Sequence, residues 1–432
     1  MELWRVALDW MLIITSTYVL FRTYNRIMME RDVSLGNYVF LVFWIFYCLP
    51  IALDYVIGMP QYETVYWYQP FIVCMSNDYV SALYDMVILV AVLVIYFYCN
   101  RYQKKPMRSK QWGGPLFESK GTLLFFVFLP IFYIVLSGNV SSYLYYGDSV
   151  SRGLAEDGTS MIVAGLLLLS LLSFCNIFFN RESISGFLNL IVLISYSGLV
   201  AWISGKRFML AIMLVMYLYY YLKRNPSEPS RRFLKISLPL IIIGLLGFSA
   251  FYLIGIRPLR DTGFMSVYDM LRVDFGRDDV TKYVIYHEFM LDDPILEFRG
   301  QTFLSTLLIW VPRAIWPGKP FQHYQYLTSS ILGLPISELP AGTTPGWFEM
   351  CICNFSYVGI IVSLVLLYIF IRISDSAKYV ATESIALILI LALLTQSIDV
   401  YLVFVAAIAL QLFVKGLQML RGHRRKAARR IA

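Results

Sequence analysis

Two kinds of side chain in the second half of the sequence have the chemistry expected of an active site. Arg313 and Lys319 flank a turn rich in proline and tryptophan at residues 311–320. The planar guanidinium of arginine fits phosphate oxygens, and its permanent charge can stabilise a departing pyrophosphate. The second kind is a proton acceptor, and the candidates for a general base are Glu349, His323, His287 and Asp261.

Further cations are predicted on the same face of the protein. Lys206 and Arg207 lie in a tight turn between two apolar segments, where adjacent charges are costly unless they reach water or an anion. We predict that six cations surround one external anion site, although each could instead be a helix-end residue that extends to the lipid interface. The predicted phosphate ligands are Lys206, Arg207, Arg257, Arg260, Arg313 and Lys319.

Each candidate base also has a structural interpretation. Glu349 begins a predicted helix, where desolvation would raise its pKa, but a carboxylate at a helix N-terminus is also an ordinary cap. His323 lies in an aromatic stretch at 321–326 that is suited to stacking on sugar rings, and a plain loop histidine is the alternative. For His287, on an amphipathic segment, we favour the structural interpretation.

The elements that must position these residues are transmembrane helices. Hydrophobic residues make up 59% of the chain and charged residues only 15%, against about 25% in a soluble domain. A spanning helix needs roughly 20 mostly apolar residues. We therefore predict an all-α polytopic membrane protein of about eleven helices. The predicted spans are 4–21, 37–58, 81–98, 121–138, 161–179, 185–203, 208–222, 236–256, 350–371, 381–397 and 400–416.

The distribution of lysine and arginine predicts the orientation. One alternating set of loops holds 24 of the 36 basic residues, which places that set in the cytoplasm, with the N-terminus outside and the C-terminus inside. The chain then divides into helices one to eight (1–256), a large external loop (257–349), three more helices (350–416) and a basic tail (417–432). We interpret the tail as an anchor near anionic headgroups and not as a nucleic-acid site.

The large external loop contains predicted helices of its own. Residues 279–292 have the spacing of a surface helix, and 302–310 form an apolar run too short to cross the bilayer, typical of a re-entrant or interfacial helix. The acidic pairs at 278–279 and 292–293 are interpreted as solvated helix caps. Because no Asp-x-Asp triad is seen in an external loop, we expect no obligatory metal and no cofactor.

Other polar residues lie in or beside the predicted spans. Asp54, Asp85 and Asp399 have no basic partner at helical spacing, and Asp85 is close enough to the external end to reach water. Six cysteines are scattered along the chain, and Cys74, Cys351 and Cys353 are interpreted as apolar helix-end packing. A disulfide between Cys74 and Cys351 or Cys353 is the alternative, if both sides face outward.

The order of several short motifs resembles that of the bacterial oligosaccharide repeat-unit polymerases of the Wzy type. The hydropathy outline is similar along nearly the whole chain, and Ser356 departs from the pattern because a glycine is common there. The matching residues are Gly205-Lys206-Arg207, Pro312-Arg313, Trp316-Pro317-Gly318-Lys319-Pro320, Gly342-Thr343-Thr344-Pro345-Gly346-Trp347-Phe348-Glu349, Asn354-Phe355 and Gly359.

This resemblance implies a glycosyltransferase of the GT-C type that needs no nucleotide sugar. Such an enzyme joins undecaprenyl-pyrophosphate-linked oligosaccharides into a surface polysaccharide, such as the O-antigen of lipopolysaccharide, at the outer face of the bacterial inner membrane. A chain-length-regulating co-polymerase is an implied partner. Within this picture the six cations bind the pyrophosphate, Arg313 also assists catalysis, and Glu349 or His323 is the base.

Two other functions stay open. A ligase that hands a finished glycan to another lipid would have a similar outline, but the Trp316 to Pro320 segment favours the polymerase. A transporter of lipid-linked sugar would bury charge along a path through the middle of the membrane, whereas the unusual cations here concentrate on one face. The sequence therefore favours chemistry at the membrane surface.

Overall fold

The computed structural model of this chain describes most of the residues outside its C-terminal segment. The described residues are 2–30, 33–103, 119–138, 140–144, 159–180, 187–205, 208–224, 264–308, 311, 313, 315–339, 342–377 and 379–396. Helices connected by loops make up this part of the chain, and no strand occurs within it. The prediction of an all-α protein is confirmed for these residues.

Helices α1 to α10 occupy the first half of the chain. Their bounds are Leu3–Met29 (α1), Leu35–Phe43 (α2), Leu49–Ile57 (α3), Gln69–Ser76 (α4), Asp78–Gln103 (α5), Lys120–Leu136 (α6), Ser141–Leu144 (α7), Thr159–Phe179 (α8), Phe187–Ser204 (α9) and Phe208–Arg224 (α10). A π-helical turn, Trp44–Cys48, joins α2 to α3, and a 3₁₀ turn, Tyr66–Tyr68, precedes α4.

Helices α11 to α17 follow in the second half. Their bounds are Val267–Phe275 (α11), Asp278–Tyr286 (α12), Gln301–Leu307 (α13), His323–Leu332 (α14), Trp347–Phe355 (α15), Tyr357–Asp375 (α16) and Val380–Thr395 (α17). A π-helical turn, His287–Leu291, extends α12, and a 3₁₀ turn, Ile336–Glu338, follows α14.

Five helices of the described chain are long and apolar enough to cross a membrane. They are Leu3–Met29, Leu35–Ile57, Asp78–Tyr102, Ile162–Phe179 and Tyr357–Asp375. Nine of the predicted spans coincide with helices, and the other two, 236–256 and 400–416, lie outside the described residues. The total of eleven spans and their orientation stay predictions.

The first three spans alternate in direction. Arg5 of α1 forms an ion pair with Asp78 at the start of α5, and Arg26 near the end of α1 bonds to Asn100 near the end of α5, so these two helices run parallel. Tyr55, near the end of the second span, donates a hydrogen bond to Asp9 near the start of α1. The second of these helices is therefore antiparallel to the other two.

The predicted span at 350–371 is interrupted. Helix α15 ends at Phe355, Ser356 has a φ of 52°, and α16 begins at Tyr357. A Cβ atom on Gly359 would lie 2.1 Å from the carbonyl oxygen of Cys351, so only glycine allows the two helices to approach so closely. Ser356 thus lies at a corner with a positive φ, a conformation that serine adopts less readily than glycine.

The helix predicted on the surface at 279–292 is a buried helix. Asp278, Asp279 and Lys282 on α12 are all buried, together with the apolar residues Val280 and Val284. The prediction was wrong because the charged face of this helix pairs with other charges of the protein and does not face water. The predicted apolar helix near 302–310 is present as α13, and its position at the membrane interface stays a prediction.

The chain divides into two compact units. One contains α1 to α5, α11 to α15 and most of α16, and it holds the candidate site. The other contains α6 to α10. Within the second unit the rings of Phe174 and Tyr196 stack with centroids 3.8 Å apart. These rings help to line an apolar cavity of about 400 Å³ between α6, α8 and α9.

Candidate functional site

Two of the predicted catalytic residues meet inside the first unit. Glu349 lies in the first turn of α15 and His323 is the first residue of α14, and both side chains are fully buried. The distance from His323 Nε2 to Glu349 Oε1 is 3.8 Å. We call these two residues the acid–imidazole pair.

Glu349 is held by its own helix N-terminus. The backbone N–H of Gly346 donates a hydrogen bond to Glu349 Oε1, which confirms the capping interpretation for that oxygen. Glu349 Oε2 accepts no hydrogen bond from the described residues. A Cβ atom on Gly346 would lie 2.7 Å from the hydroxyl oxygen of Tyr47 and 3.0 Å from Glu349 Oε2, so glycine is needed to bring these groups together.

Burial changes the protonation of both members of the pair. Desolvation raises the pKa of Glu349 to about 8, against its ordinary value of 4.5, because the charged carboxylate loses its water. Desolvation lowers the pKa of His323 to about 3. Both groups are therefore mainly neutral at pH 7, and their 3.8 Å approach is a polar contact and not an ion pair.

Asn354 holds together the helices that carry the pair. Its Oδ1 accepts from the backbone N–H of Thr302 on α13 at 3.1 Å, and its Nδ2 donates to the Thr302 hydroxyl at 2.6 Å. The same hydroxyl lies 3.3 Å from His323 Nδ1. Thr302 therefore links α15 to α14, which gives a structural reason for an asparagine five residues after Glu349.

Arg313 and Lys319 close one turn of the loop. Arg313 Nη1 donates to the carbonyl oxygen of Lys319 at 2.6 Å, and Lys319 Nζ donates to that of Val311 at 3.0 Å. The guanidinium of Arg313 lies 4.1 Å above the ring centroid of Phe321, and the residue is exposed. Two cations thus stand on a turn whose carbonyl oxygens hold them in place.

This turn is attached to the helix that contacts His323. The carbonyl oxygen of Pro320 accepts from Ser305 Oγ on α13 at 3.0 Å and from Arg313 Nη2 at 3.4 Å. Ser305 lies one turn after Thr302, which contacts His323. Helix α13 therefore carries both the exposed cationic turn and one wall of the buried pair.

Comparisons with protein-family models, with curated proteins and with solved structures found no match for this chain. The assignment of a function therefore depends on the residues and contacts of the chain itself.

The other residues of the predicted cation pocket are four cations that precede the Arg313 turn in the sequence. Lys206, Arg207, Arg257 and Arg260 lie outside the described residues, as does the candidate base Asp261. The remaining candidate base, His287, packs against Tyr283 with the two rings tilted and their centroids 4.4 Å apart, and its Nδ1 lies 3.3 Å from Asp293 Oδ2. Its neighbours are thus an aromatic ring and an exposed carboxylate.

A buried set of charges that the sequence did not predict surrounds Arg272. Its Nη2 lies 2.6 Å from Asp278, 3.2 Å from Asp279 and 3.1 Å from Asp54. Lys282 adds a second cation, 3.1 Å from Asp278. We call these five residues the arginine cluster.

The arginine cluster corrects the interpretation of the acidic pair at 278–279. Both aspartates lie in the first turn of α12, but they are buried and not solvated. The pKa of Asp279 rises to about 7 because burial outweighs the attraction of Arg272. For Asp278, Arg272 and Lys282 overcome the opposing effect of burial and lower the pKa to about 2. The i, i+4 spacing of Asp278 and Lys282 was visible in the sequence, whereas Asp54 and Arg272 are 218 positions apart.

Arg277 is a second buried arginine that the sequence did not single out. It immediately precedes α12, donates to the carbonyl oxygen of Thr395 at 3.0 Å and lies 5.3 Å from the ring centroid of Phe46. Its positive charge opposes the rise in the pKa of Glu349. Arg277 therefore lies between the arginine cluster and the acid–imidazole pair.

Two further predictions concern the cysteines and Asp85. The six cysteines, all of them in the described part of the chain, are buried and form no disulfide, which confirms the packing interpretation for Cys74, Cys351 and Cys353. Asp85 is only 2% exposed, so the prediction that it reaches water was wrong. No group of three or more His, Cys, Asp or Glu side chains in the described part of the chain is arranged to hold a metal ion.

Proposed function

We propose that this protein is a membrane glycosyltransferase that polymerises lipid-pyrophosphate-linked oligosaccharide repeat units. The main observation behind the proposal is that α13 contacts both parts of the site. Its Ser305 bonds to the exposed turn that holds Arg313, and its Thr302 contacts His323, which lies beside Glu349 in the buried pair. A cation for the leaving group and a group for the acceptor proton are the two parts that this reaction needs.

The proposed reaction is a single displacement at the anomeric carbon of the donor glycan. The hydroxyl oxygen of the acceptor sugar forms a bond to that carbon, while the bond from the carbon to the pyrophosphate oxygen breaks. The lipid pyrophosphate leaves with the electron pair, and Arg313 and Lys319 stabilise its charge. The proton of the acceptor hydroxyl passes to Glu349 or to His323.

The pKa of Glu349 fits this role. A pKa of about 8 places Glu349 close to the pH at which an enzyme works, where a general base is most effective. The neutral imidazole of His323 has an Nε2 atom without a hydrogen-bond partner among the described residues. Because both groups are enclosed, the proposal requires that substrate binding opens this contact.

The proposed setting is the outer face of the bacterial inner membrane, with the N-terminus and the loop outside and the C-terminus in the cytoplasm. Support comes from five helices able to cross a membrane and from the excess of basic residues in one set of loops. The proposed substrates are undecaprenyl-pyrophosphate-linked oligosaccharides. A chain-length-regulating co-polymerase is the proposed protein partner.

A transporter of lipid-linked oligosaccharide is the second candidate. One observation favours it: Asp9 and Asp85 are buried on α1 and α5 inside two of the membrane-crossing helices. Intramembrane carboxyl groups are typical of transport proteins. The polymerase remains our proposal because the cationic turn and the acid–imidazole pair share one support in the loop.

Incubation of the purified protein with a lipid-pyrophosphate-linked repeat unit tests the proposal, without nucleotide sugar or added metal. A ladder of chain lengths on a gel is the expected product. Arg313→Ala should abolish the ladder while the protein stays folded in the membrane, and Arg313→Lys should keep part of the activity. As a matched control, Arg372→Ala at the exposed end of α16 should leave the ladder unchanged.

Two outcomes would contradict this assignment. Repeat units of verified structure that all remain monomeric would favour the ligase or the transporter. A normal ladder from Arg313→Ala would remove Arg313 from the reaction and leave it as a residue that closes the turn.

A further inference from the structure

Two carboxyl groups face each other between the first and third membrane-crossing helices. Asp9 on α1 and Asp85 on α5 are 5% and 2% exposed. Their helices run side by side and are joined at both ends, by Arg5 to Asp78 and by Arg26 to Asn100, and the two carboxyl groups interact between these contacts. Asp85 is seven residues into its helix, about 10 Å from its start at 1.5 Å per residue. The two groups therefore lie within the span and not at its end.

The hydrogen bonding of Asp85 is incomplete. Neither of its carboxyl oxygens receives a hydrogen bond from a donor of the described residues. Asp9 has one donor, the Tyr55 hydroxyl, 2.6 Å from its Oδ2. Two ionised carboxylates only accept hydrogen bonds, so Asp9 and Asp85 can bond to each other only if one of them carries a proton.

The nearby cations are bound to other carboxylates. Arg5 on α1 forms an ion pair with Asp78 at 2.6 Å. Lys282 on α12 lies 3.1 Å from Asp278 and over the ring of Tyr84. Two buried carboxylates without a cation of their own are unfavourable, and binding a proton removes one of the charges.

We propose that Asp9 and Asp85 bind one exchangeable proton between their carboxyl groups, inside the membrane-crossing part of the protein. This site is separate from the acid–imidazole pair and does not depend on the proposed glycosyl transfer. The titratable and charged groups around Asp85 are Asp9 and Arg5 on α1, Cys48 and Tyr55 on the second span, Tyr84 on α5 itself and Lys282 on α12.

The proton site is linked to the external loop through one residue. Lys282 interacts electrostatically with Asp85 and bonds to Asp278 of the arginine cluster. When Asp85 loses its proton, its negative charge attracts the Lys282 ammonium group more strongly and competes with Asp278 for it. The charge of the carboxyl pair thus acts on α12, the helix that follows Arg277.

Infrared spectroscopy of the full-length protein in lipid nanodiscs tests the proposal directly. A protonated carboxylic acid has a C=O stretching band that a carboxylate lacks. We expect this band in the spectrum of the wild type minus that of Asp85→Asn at pH 7, and we expect it to disappear as the pH rises. Because Glu349 and Asp279 are present in both proteins, their bands cancel in the difference.

Two further variants complete the design. Asp9→Asn leaves Asp85 beside an amide that can donate a hydrogen bond to the ionised carboxylate, so the band of Asp85 should disappear at lower pH than in the wild type. Asp293→Asn removes a carboxylate whose side chain is 72% exposed, and its spectrum at pH 7 should match that of the wild type.

Three results would overturn the proton site. If Asp85→Asn removes no protonated band at any pH at which the protein is folded, Asp85 is ionised and Lys282 neutralises it. If replacing potassium by sodium at constant pH abolishes the band, the pair is a sodium site. Should Asp85→Asn not fold, ¹³C-labelling of aspartate in an Asp279→Asn background identifies the band without it, and an unshifted spectrum overturns the proposal.

Discussion

The arginine cluster and the acid–imidazole pair are both buried in the same unit, but the cluster contains paired charges whereas the pair is mainly uncharged. Arg272 keeps its charge because three aspartates lie within 3.2 Å of it. Within the described part of the chain, no salt bridge compensates Glu349 or His323 apart from their own 3.8 Å contact, and burial keeps both mainly neutral, with pKa values of about 8 and about 3. Compensated charges fix a structure, whereas groups with displaced pKa values are available for proton transfer.

The largest effect on stability is expected from removing the central cation of the arginine cluster. Arg272→Met leaves three buried carboxyl groups without their shared partner, which should lower the free energy of unfolding by roughly 3–5 kcal/mol. Thermal unfolding in detergent micelles measures this loss. Arg372→Met, at an exposed helix end, is the matched control and should change the midpoint little. Equal midpoints for the two variants would show that the cluster does not hold the fold together.

The next largest effect is expected from the acid–imidazole pair. Glu349→Gln keeps an oxygen that can accept from the Gly346 N–H but removes the carboxyl group, whose ionised form accepts the proton. We expect thermal stability close to that of the wild type and a rate of polymer formation lower by about 100-fold or more. Quantified gel ladders give the rate. A variant that polymerises normally would leave Glu349 as a cap alone.

The stability of the protein should also depend on pH through Glu349. The folded pKa of about 8 lies above the ordinary value of 4.5, so the folded state binds the proton more tightly than the unfolded state does. The resulting stabilisation is complete below pH 4.5 and is lost as the pH rises through 8. Thermal midpoints of the wild type should therefore fall over this range more steeply than those of Glu349→Gln.

Asp279 acts in the same direction, which is why the comparison with Glu349→Gln is needed. Its pKa of about 7 also lies above the usual value, so its contribution is likewise lost as the pH rises. Asp278, with a pKa of about 2, contributes stability that is lost only as the pH falls. Identical slopes for the wild type and Glu349→Gln would mean that Glu349 is ionised in the folded protein.

The sequence predicted the helices better than it predicted the burial of charge. Apolar segments such as 81–98 can be recognised in the sequence because a span needs many consecutive apolar residues. The structure has a helix there, at Asp78–Tyr102. The corner at Ser356 was missed because hydropathy does not change where the backbone turns. Hydropathy therefore finds a span but not a break within it.

The candidate site was partly predictable for a similar reason. Glu349 and His323 could be named from residue type and local context, but their contact joins the starts of two different helices. Asp54 and Arg272, which form a salt bridge, are 218 positions apart in the sequence, so no local sequence pattern predicts their contact. Asp278 and Asp279 looked like solvated caps because the sequence gives their place on the helix but not their partners.

The smallest effect tests the edge of the arginine cluster. The Tyr62 hydroxyl, fully buried, donates to Asp279 Oδ2 at 2.7 Å, so Tyr62→Phe should cost about 1–2 kcal/mol. Tyr66→Phe removes a weaker bond of a residue that is 62% exposed and should cost less than about 0.5 kcal/mol. Loss of the donor also removes a group that lowers the pKa of Asp279, so Tyr62→Phe should steepen the fall of stability with rising pH. Equal unfolding midpoints for the two variants would mean that Arg272 alone stabilises the Asp279 carboxyl group and that the hydrogen bond from Tyr62 adds no stability.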